Sequence, residues 1–156
     1  MIYNISDHIT FQEAISSSTA ERLGISNIPD ASQLKNMIEL AENIFEPLRA
    51  GLGNRPIHIN SFFRCEELNK VVGGAKNSQH TAINGAAMDI CLLFGGSNKD
   101  IFNYIKNNLA FDQLISEFPD EQENPTWVHV SWNTGNNRMN ILKSEKKDGN
   151  TVYVSI

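Results

Sequence analysis

Three side chains able to bind a divalent cation lie in or beside apolar stretches of the sequence. His80 precedes a stretch with the composition of a buried strand, Ala86–Phe94, and Asp89 lies in the middle of it. His129 interrupts a second apolar stretch, Trp127–Trp132. A carboxylate in apolar surroundings costs on the order of several kcal/mol unless a partner satisfies it. Two imidazoles and a carboxylate are a common ligand set for catalytic zinc, so a zinc ion would explain the buried aspartate.

Short motifs around these residues follow one another in the order of a known peptidase family. They are S-x-x-R at Ser61–Arg64, S-x-H at Ser78–His80, G-x-A-x-D at Gly85–Asp89 and W-x-H at Trp127–His129. Over about residues 10–135 the chain resembles the zinc D-Ala-D-Ala carboxypeptidase family. That family also contains phage endolysins and vancomycin-resistance dipeptidases, and the stretch before the last motif is similar to its phage-type branch.

The resemblance implies a role for each matching residue. His80, Asp89 and His129 would hold one zinc ion. Arg64 would position the substrate and polarise its scissile carbonyl, and Ser78 would contact the substrate. A surface salt bridge is the alternative for Arg64, and an ordinary loop cap is the alternative for Ser78.

The implied activity is hydrolysis of peptide stems of bacterial peptidoglycan, by a D-Ala-D-Ala carboxypeptidase or an endolysin-type endopeptidase. Zinc would lower the pKa of a bound water toward about 7 and so supply the nucleophile. The implied fold is α+β and of the hedgehog/DD-peptidase type, in which a small antiparallel sheet carries the zinc site and helices pack against it.

The sequence departs from the family pattern at two places. Four residues, Thr81–Asn84, separate His80 from Gly85 where the family usually has two. The insertion lies in a loop, so it need not move either ligand. Many members also carry an acid three residues before the last histidine, whereas Thr126 occupies that position here and cannot act as a base.

Glu117 is the candidate replacement for the missing base. If Glu117 pairs with His129 in a hairpin, both side chains point to the same side of the sheet, because side chains alternate along a strand. Glu117 could then take a proton from the attacking water and pass it to the leaving amine. Asp112 and Asp120 are weaker candidates, because they lie at the ends of the hairpin segments.

Two other readings stay open. Cys65 opens a helix, where the dipole favours a thiolate, and His129 could serve as its base in a cysteine enzyme. Alternatively, the chain is a non-catalytic binding or structural module that zinc stabilises, as in the hedgehog signalling domain. His8 and His58 are left as ordinary histidines. Cys65 and Cys91 are too few for a disulfide framework or a cysteine-type zinc site.

The helices and strands that must position these residues are predicted from hydrophobic periodicity and from the capping, glycine and proline residues at their ends. Residues 1–30 read as irregular, apart from a short helix. Helices are then expected from Asp30 or Ser32 to about Leu52, at Glu66–Val72 and from Ser97 or Asn98 to about Leu109. Strands are expected at Ile57–Ser61, Ala86–Phe94, Phe111–Phe118, Trp127–Trp132, Met139–Leu142 and Thr151–Ser155. Most helices are predicted in the first half of the chain and most neighbouring strands in the second half, and this order indicates an α+β class.

Length and charge narrow the function classes. A chain of 156 residues suits a single domain over 1–156. A net charge of −5, with no basic run, argues against nucleic acid as the partner. No apolar run is long enough for a membrane span, and no secretory signal is visible at the N-terminus. We therefore expect a monomer that is made in the cytoplasm and acts on cell-wall peptide, and a phage origin is one of the two sources that the sequence leaves open.

Overall fold

The computed structural model describes residues 4–156 and has a mixed α+β fold, as predicted. Its helices are α1 (Phe11–Ile15), α2 (Ser18–Leu23), α3 (Ala31–Leu40), α4 (Glu46–Gly51), α5 (Glu66–Val71) and α6 (Asn98–Asn108). Its strands are β1 (Asn4–Ser6), β2 (Ile9–Thr10), β3 (His58–Ser61), β4 (Ala86–Cys91), β5 (Gln113–Glu117), β6 (Trp127–Trp132), β7 (Asn140–Lys147) and β8 (Asn150–Ser155).

Six of these strands form the main sheet within residues 4–156. Their spatial order is β3-β4-β6-β5-β7-β8, and the sheet is antiparallel except between β5 and β7. β1 and β2 form a separate two-stranded sheet near the N-terminus. β4 and β6 are neighbours in this order, so the segments that carry Asp89 and His129 lie side by side.

The two faces of the main sheet have different surroundings. Apolar residues on one face join a core with helix residues, and the core includes Met88, Ile90, Leu114, Val128, Val130, Met37, Leu40, Ile44, Ile101 and Ile105. Because side chains alternate along each strand, the residues between these core positions point to the opposite face. Asp89 and His129 are among them, which explains a carboxylate inside an apolar strand.

The long predicted helix is divided rather than continuous. Asp30 caps α3, and its carboxylate and the Gln33 side chain form a reciprocal capping box. A π-helical turn at Ala41–Phe45 then joins α3 to α4. Pro47 follows that turn, where its ring and its missing N–H oppose a regular helical bond to the preceding turn. The predicted disturbance by Pro47 is therefore a local widening of the helix.

The remaining boundaries differ modestly from the predicted ones. The N-terminal region is more regular than expected, with two strands and two helices between residues 4 and 23, while residues 1–3 lie outside the described part. β4 ends at Cys91 because its partner β3 begins at the paired residue, His58. β7 runs five residues beyond the predicted end at Leu142. Among the described residues, no helix has the length and apolar character needed to cross a membrane.

Candidate metal centre

The register of β4 and β6 places an imidazole directly beside the buried carboxylate. Asp89 pairs with His129 across the two strands. His129 Nδ1 lies 2.9 Å from Asp89 Oδ1. Directly opposed residues in an antiparallel pair bring their Cβ atoms to within about 5.5 Å, which is why two short side chains can meet here.

A short loop supplies the second imidazole. His80 lies in a 3₁₀ turn, Gln79–Thr81, and its side chain is buried. The backbone carbonyl of Phe62 lies 2.8 Å from His80 Nδ1, so that nitrogen is the donor and Nε2 is left free as an acceptor. His80 Nε2 lies 3.3 Å from Asp89 Oδ2. The Arg64 backbone N–H also donates to the His80 carbonyl, so the strand-to-helix segment holds this turn at two points.

The three side chains together form a candidate metal centre. One ligand atom from each of His80, Asp89 and His129 lies within 4.8 Å of the others. Burial lowers the pKa of His80, against the opposing effect of Asp89, and favours the neutral ring that a metal requires. Burial acts to raise the pKa of Asp89, but His80 and His129 hold that pKa well below its usual range. Two neutral nitrogens and one carboxylate fit a zinc ion with an open fourth position.

The Arg64 guanidinium lies against this centre. Its terminal nitrogen donates to Asp89 Oδ2 over 3.0 Å, and its Nε donates to Ser61 Oγ over 2.9 Å. Only 19 % of the Arg64 side chain is exposed, so the alternative of a surface salt bridge does not describe it. The guanidinium keeps further N–H donors that these two bonds do not use.

Glu117 lies on the same face of the sheet, but not in the predicted register. We expected Glu117 to pair with His129; instead Ile115 pairs with His129, and Glu117 pairs with Trp127. The shift is two residues, so Glu117 still points to the side that carries His129. The reason is that the hairpin is paired up to its closing loop, where the Thr126 N–H donates to the Glu117 carbonyl.

The environment of the Glu117 carboxyl is unusual. The residue is buried, and its Oε2 has no hydrogen-bond partner within residues 4–156. Burial raises the pKa of Glu117, and the Asp89 charge adds to this, whereas Ser144 and His129 act against it. The Glu117 carboxyl group therefore presents an acceptor oxygen without a hydrogen-bond partner among the described residues.

A polar cleft of about 570 Å³ joins these groups. Its walls include Arg64, Ser78, His80, Asp89, Glu117 and His129, so all the site residues predicted from the sequence line one cavity. Ser78 also has a structural contact: its Oγ accepts the His80 N–H over 3.3 Å, which is the loop cap that was the alternative for this residue. Further residues of the wall come from the Gly73-Gly74 loop and from β7 and β8.

The other candidates lie outside this cleft or have structural contacts. The Thr126 hydroxyl donates to the Phe118 carbonyl. Cys65 Sγ accepts the Leu68 N–H over 3.4 Å as the cap of α5, and Cys65 does not line the cleft. Asp112 is buried in an ion pair with Arg138, and the Asp120 carboxylate accepts backbone N–H groups of its own loop. His8 and His58 are exposed and do not belong to the metal group.

The four-residue insertion after His80 leaves the ligands in place. Gly85, which follows it, has a φ of +82° and lies against β6, where a Cβ atom would come within 2.2 Å of the Trp132 carbonyl oxygen. Only glycine fits this approach. The insertion is therefore absorbed before Gly85, and β4 begins in the register that positions Asp89.

Sequence reasoning missed Asn27, which supports the centre from a distance. This buried amide donates to the carbonyls of Ile15 and Phe63, and its oxygen accepts the Cys65 N–H. It thus fixes the segment that contains Arg64. A polar residue between Ser26 and a turn-forming Ile28-Pro29 gives no signal of burial, so the sequence alone did not indicate this role.

Comparison with known protein families gives a match over most of the chain. Residues 7–131 match the family model described as Peptidase M15. None of the curated proteins compared with the chain matches it. The matched region contains the three candidate ligands, Arg64 and Glu117, and it ends before β7 and β8.

Proposed function

Since the chain belongs to the peptidase M15 family, the zinc D-Ala-D-Ala carboxypeptidase and endolysin group, we propose that it hydrolyses peptide stems of bacterial peptidoglycan. The observation that carries the proposal is the convergence of His80, Asp89 and His129 in a cleft that also holds a buried carboxyl group. Family membership supports a metal-dependent peptidase. The wall peptide as substrate is the finer part of the proposal.

The three ligand residues would hold one zinc ion. Zinc, when bound, supplies a Lewis acid and lowers the pKa of water toward about 7. The chain prepares this position without the ion: Phe62 fixes the ring of His80, and Arg64 and both imidazoles contact the Asp89 carboxylate. Contacts of this kind orient the ligands of a metal and select the correct histidine tautomer.

The remaining groups have separate tasks in hydrolysis. Water adds to the scissile carbonyl carbon, and the C–N bond then breaks to give a carboxylate and an amine. Glu117 accepts the proton of the attacking water and delivers it to the leaving amine. Arg64 places its remaining N–H donors toward the substrate carbonyl and stabilises the oxyanion that develops there. Ser78, at the rim, contacts the peptide.

The test is product analysis on purified peptidoglycan fragments. The protein is incubated with the fragments in added zinc, in a chelator, and in chelator followed by excess zinc, and released products are identified by mass spectrometry. We expect cleavage with zinc, loss of cleavage with the chelator, and recovery on readdition. The products also separate a carboxypeptidase, which releases a terminal D-alanine, from an endopeptidase, which releases larger fragments.

A non-catalytic zinc module is the second candidate function. The one observation that favours it is Thr126, which occupies the position of the usual acid and bonds to a backbone carbonyl. Zinc binding without cleavage of any fragment would support the module and exclude the peptidase. Unchanged cleavage by a Cys65→Ser variant would exclude the cysteine mechanism.

A further inference from the structure

The last two strands extend the sheet beside the cleft and lie outside the region that the family match covers. The match ends at residue 131, whereas β7 and β8 span Asn140–Lys147 and Asn150–Ser155. β7 adds to β5 in parallel, and β8 follows at the edge of the sheet. These strands therefore form a wall next to Glu117 that the family assignment does not describe.

The register shows which residues of this hairpin face the cleft. Leu142 pairs with Ile115, which itself pairs with His129. Ser144 is two residues further along β7 and pairs with Tyr153 on β8. Alternation along each strand therefore puts these hairpin side chains on the face that carries the metal centre.

The cleft itself agrees with the register. Leu142 and Tyr153 line the same cavity as His80, Asp89 and Glu117. Tyr153 is 52 % exposed, so its ring lies at the open rim rather than in the core. Partial burial raises the pKa of Tyr153, and the nearby charges of Glu117 and Asp89 add to the increase. The phenol therefore keeps its proton and remains a hydrogen-bond donor at neutral pH.

We propose that Tyr153 is a substrate-contacting residue, whose phenolic O–H donates a hydrogen bond to a carbonyl or carboxylate oxygen of the bound peptide. A donor on this side complements the two acids of the cleft, Glu117 and Asp89, which offer acceptor oxygens to a bound peptide. In the strand order, the metal centre on β4 and β6 lies between Arg64, which follows β3, and Tyr153 on β8. A peptide across the cleft thus meets one donor group on either side of the metal centre.

This inference rests on the proposed peptide substrate, and its test separates the two. Tyr153→Phe removes only the hydroxyl, and Tyr104→Phe makes the same change on α6, in a groove away from the cleft. On a cleaved peptidoglycan fragment, we expect Tyr153→Phe to raise KM about threefold to tenfold, as expected for one lost hydrogen bond. We expect kcat to change less and zinc content not to change. Tyr104→Phe should match the unmutated protein in all three quantities.

The outcomes are distinct. Cleavage by the unmutated protein with equal KM in Tyr153→Phe overturns the role of Tyr153 and leaves the peptidase intact. Absence of cleavage by the unmutated protein overturns the peptidase, and calorimetric binding of the same fragment then decides the second question. Weaker binding to Tyr153→Phe than to Tyr104→Phe supports the contact, whereas equal binding, or no binding to the unmutated protein, overturns it.

Discussion

The environment of Glu117 is unusual for a carboxyl group, which is normally exposed to water or paired when buried. Its carboxyl group is buried, and one oxygen lacks a partner within the described chain. Burial raises the pKa of the Glu117 carboxyl group above its usual value, which makes the carboxylate a stronger proton acceptor. An unsatisfied buried acceptor is a cost to folding, so its presence in a cleft points to a use in chemistry.

Replacing Glu117 with Gln should separate catalysis from metal binding. Gln keeps the shape of the side chain but cannot accept a proton, so we expect kcat to fall about 10²-fold to 10⁴-fold with zinc content unchanged. The measurements are fragment cleavage and metal analysis on the same sample. The matched control is Glu121→Gln, which changes an exposed loop carboxylate and should leave kcat as it was. Full activity in Glu117→Gln would show that another group is the base.

At the residue level, the sequence predicted the ligands better than the base. His80, Asp89 and His129 each stand in a short motif, and the structure brings them together. The partner of Glu117 was wrong by two residues, because register depends on how the loop closes. Phe118 opens that loop with a φ of +45°, a conformation that a sequence-based argument does not assign to phenylalanine.

An ion pair joins Asp112, the residue before β5, to Arg138 in the segment that leads into β7. Asp112 Oδ1 accepts two hydrogen bonds from Arg138, one from the backbone N–H over 3.0 Å and one from Nε over 2.8 Å. Asp112 Oδ2 accepts a third, from the terminal guanidinium nitrogen Nη2, over 2.7 Å. Asp112 is buried, while the Arg138 side chain is 54 % exposed. β7 contributes Leu142 to the wall of the cleft, so this ion pair also helps to position that wall.

Removing this ion pair should cost stability in a pH-dependent way. Burial acts to raise the pKa of Asp112, but hydrogen bonds from Arg138 outweigh it and lower the pKa in the folded state. The contribution is therefore complete above the unfolded value of about 3.9 and is lost as pH falls through the folded pKa. We expect Asp112→Asn to lower the free energy of unfolding by about 1–2 kcal/mol at pH 7, discounted for the exposed arginine.

Urea unfolding at pH 7 and at about pH 3 measures this effect. The difference between the unmutated protein and Asp112→Asn should shrink at the lower pH. Asp148→Asn alters an exposed carboxylate in the β7–β8 turn and serves as the control, with little change at either pH. A difference that stays constant with pH would contradict the assignment of the effect to the Asp112 charge.

At the level of elements, prediction succeeded where burial alternates clearly. β6 has the predicted bounds, Trp127–Trp132, because apolar and polar residues alternate along it. β7 was predicted too short, since Lys143, Glu145 and Lys147 give no apolar signal, although edge hairpins tolerate such charges. β4 was predicted too long, because Leu93 and Phe94 are apolar but exposed. Apolar composition alone does not reveal where a neighbouring strand ends.

At the scale of the whole molecule, the two faces of the main sheet have different functions. Its inner face packs against helices and forms the core, and its outer face carries the cleft. Bound zinc would join β4 and the nearby His80 loop to β6, whose His129 lies 40 residues after Asp89. A ligand that binds only the folded state adds to the free energy of unfolding in proportion to the logarithm of its concentration.

Zinc should therefore stabilise the whole fold. At a free concentration about 100 times its Kd, we expect a gain of about 2.7 kcal/mol, which corresponds to a rise in Tm of about 5–11 °C for a chain of this size. Thermal unfolding followed by circular dichroism, in zinc and in chelator, measures it. Asp89→Asn should reduce the shift, and magnesium in place of zinc should give little shift. Equal Tm in zinc and chelator would show that His80, Asp89 and His129 do not form a metal site.

The contacts that hold His80 and Asp89 have a consequence for how an ion is taken up. Phe62 orients one ring and Arg64 steadies the acid before any cation arrives, so loading demands little rearrangement of the backbone. A site prepared in this way can release a metal ion and bind it again while the chain stays folded. Dialysis against a strong chelator should consequently yield an intact empty protein, and other transition ions of suitable size should be able to enter it and report on the site spectroscopically.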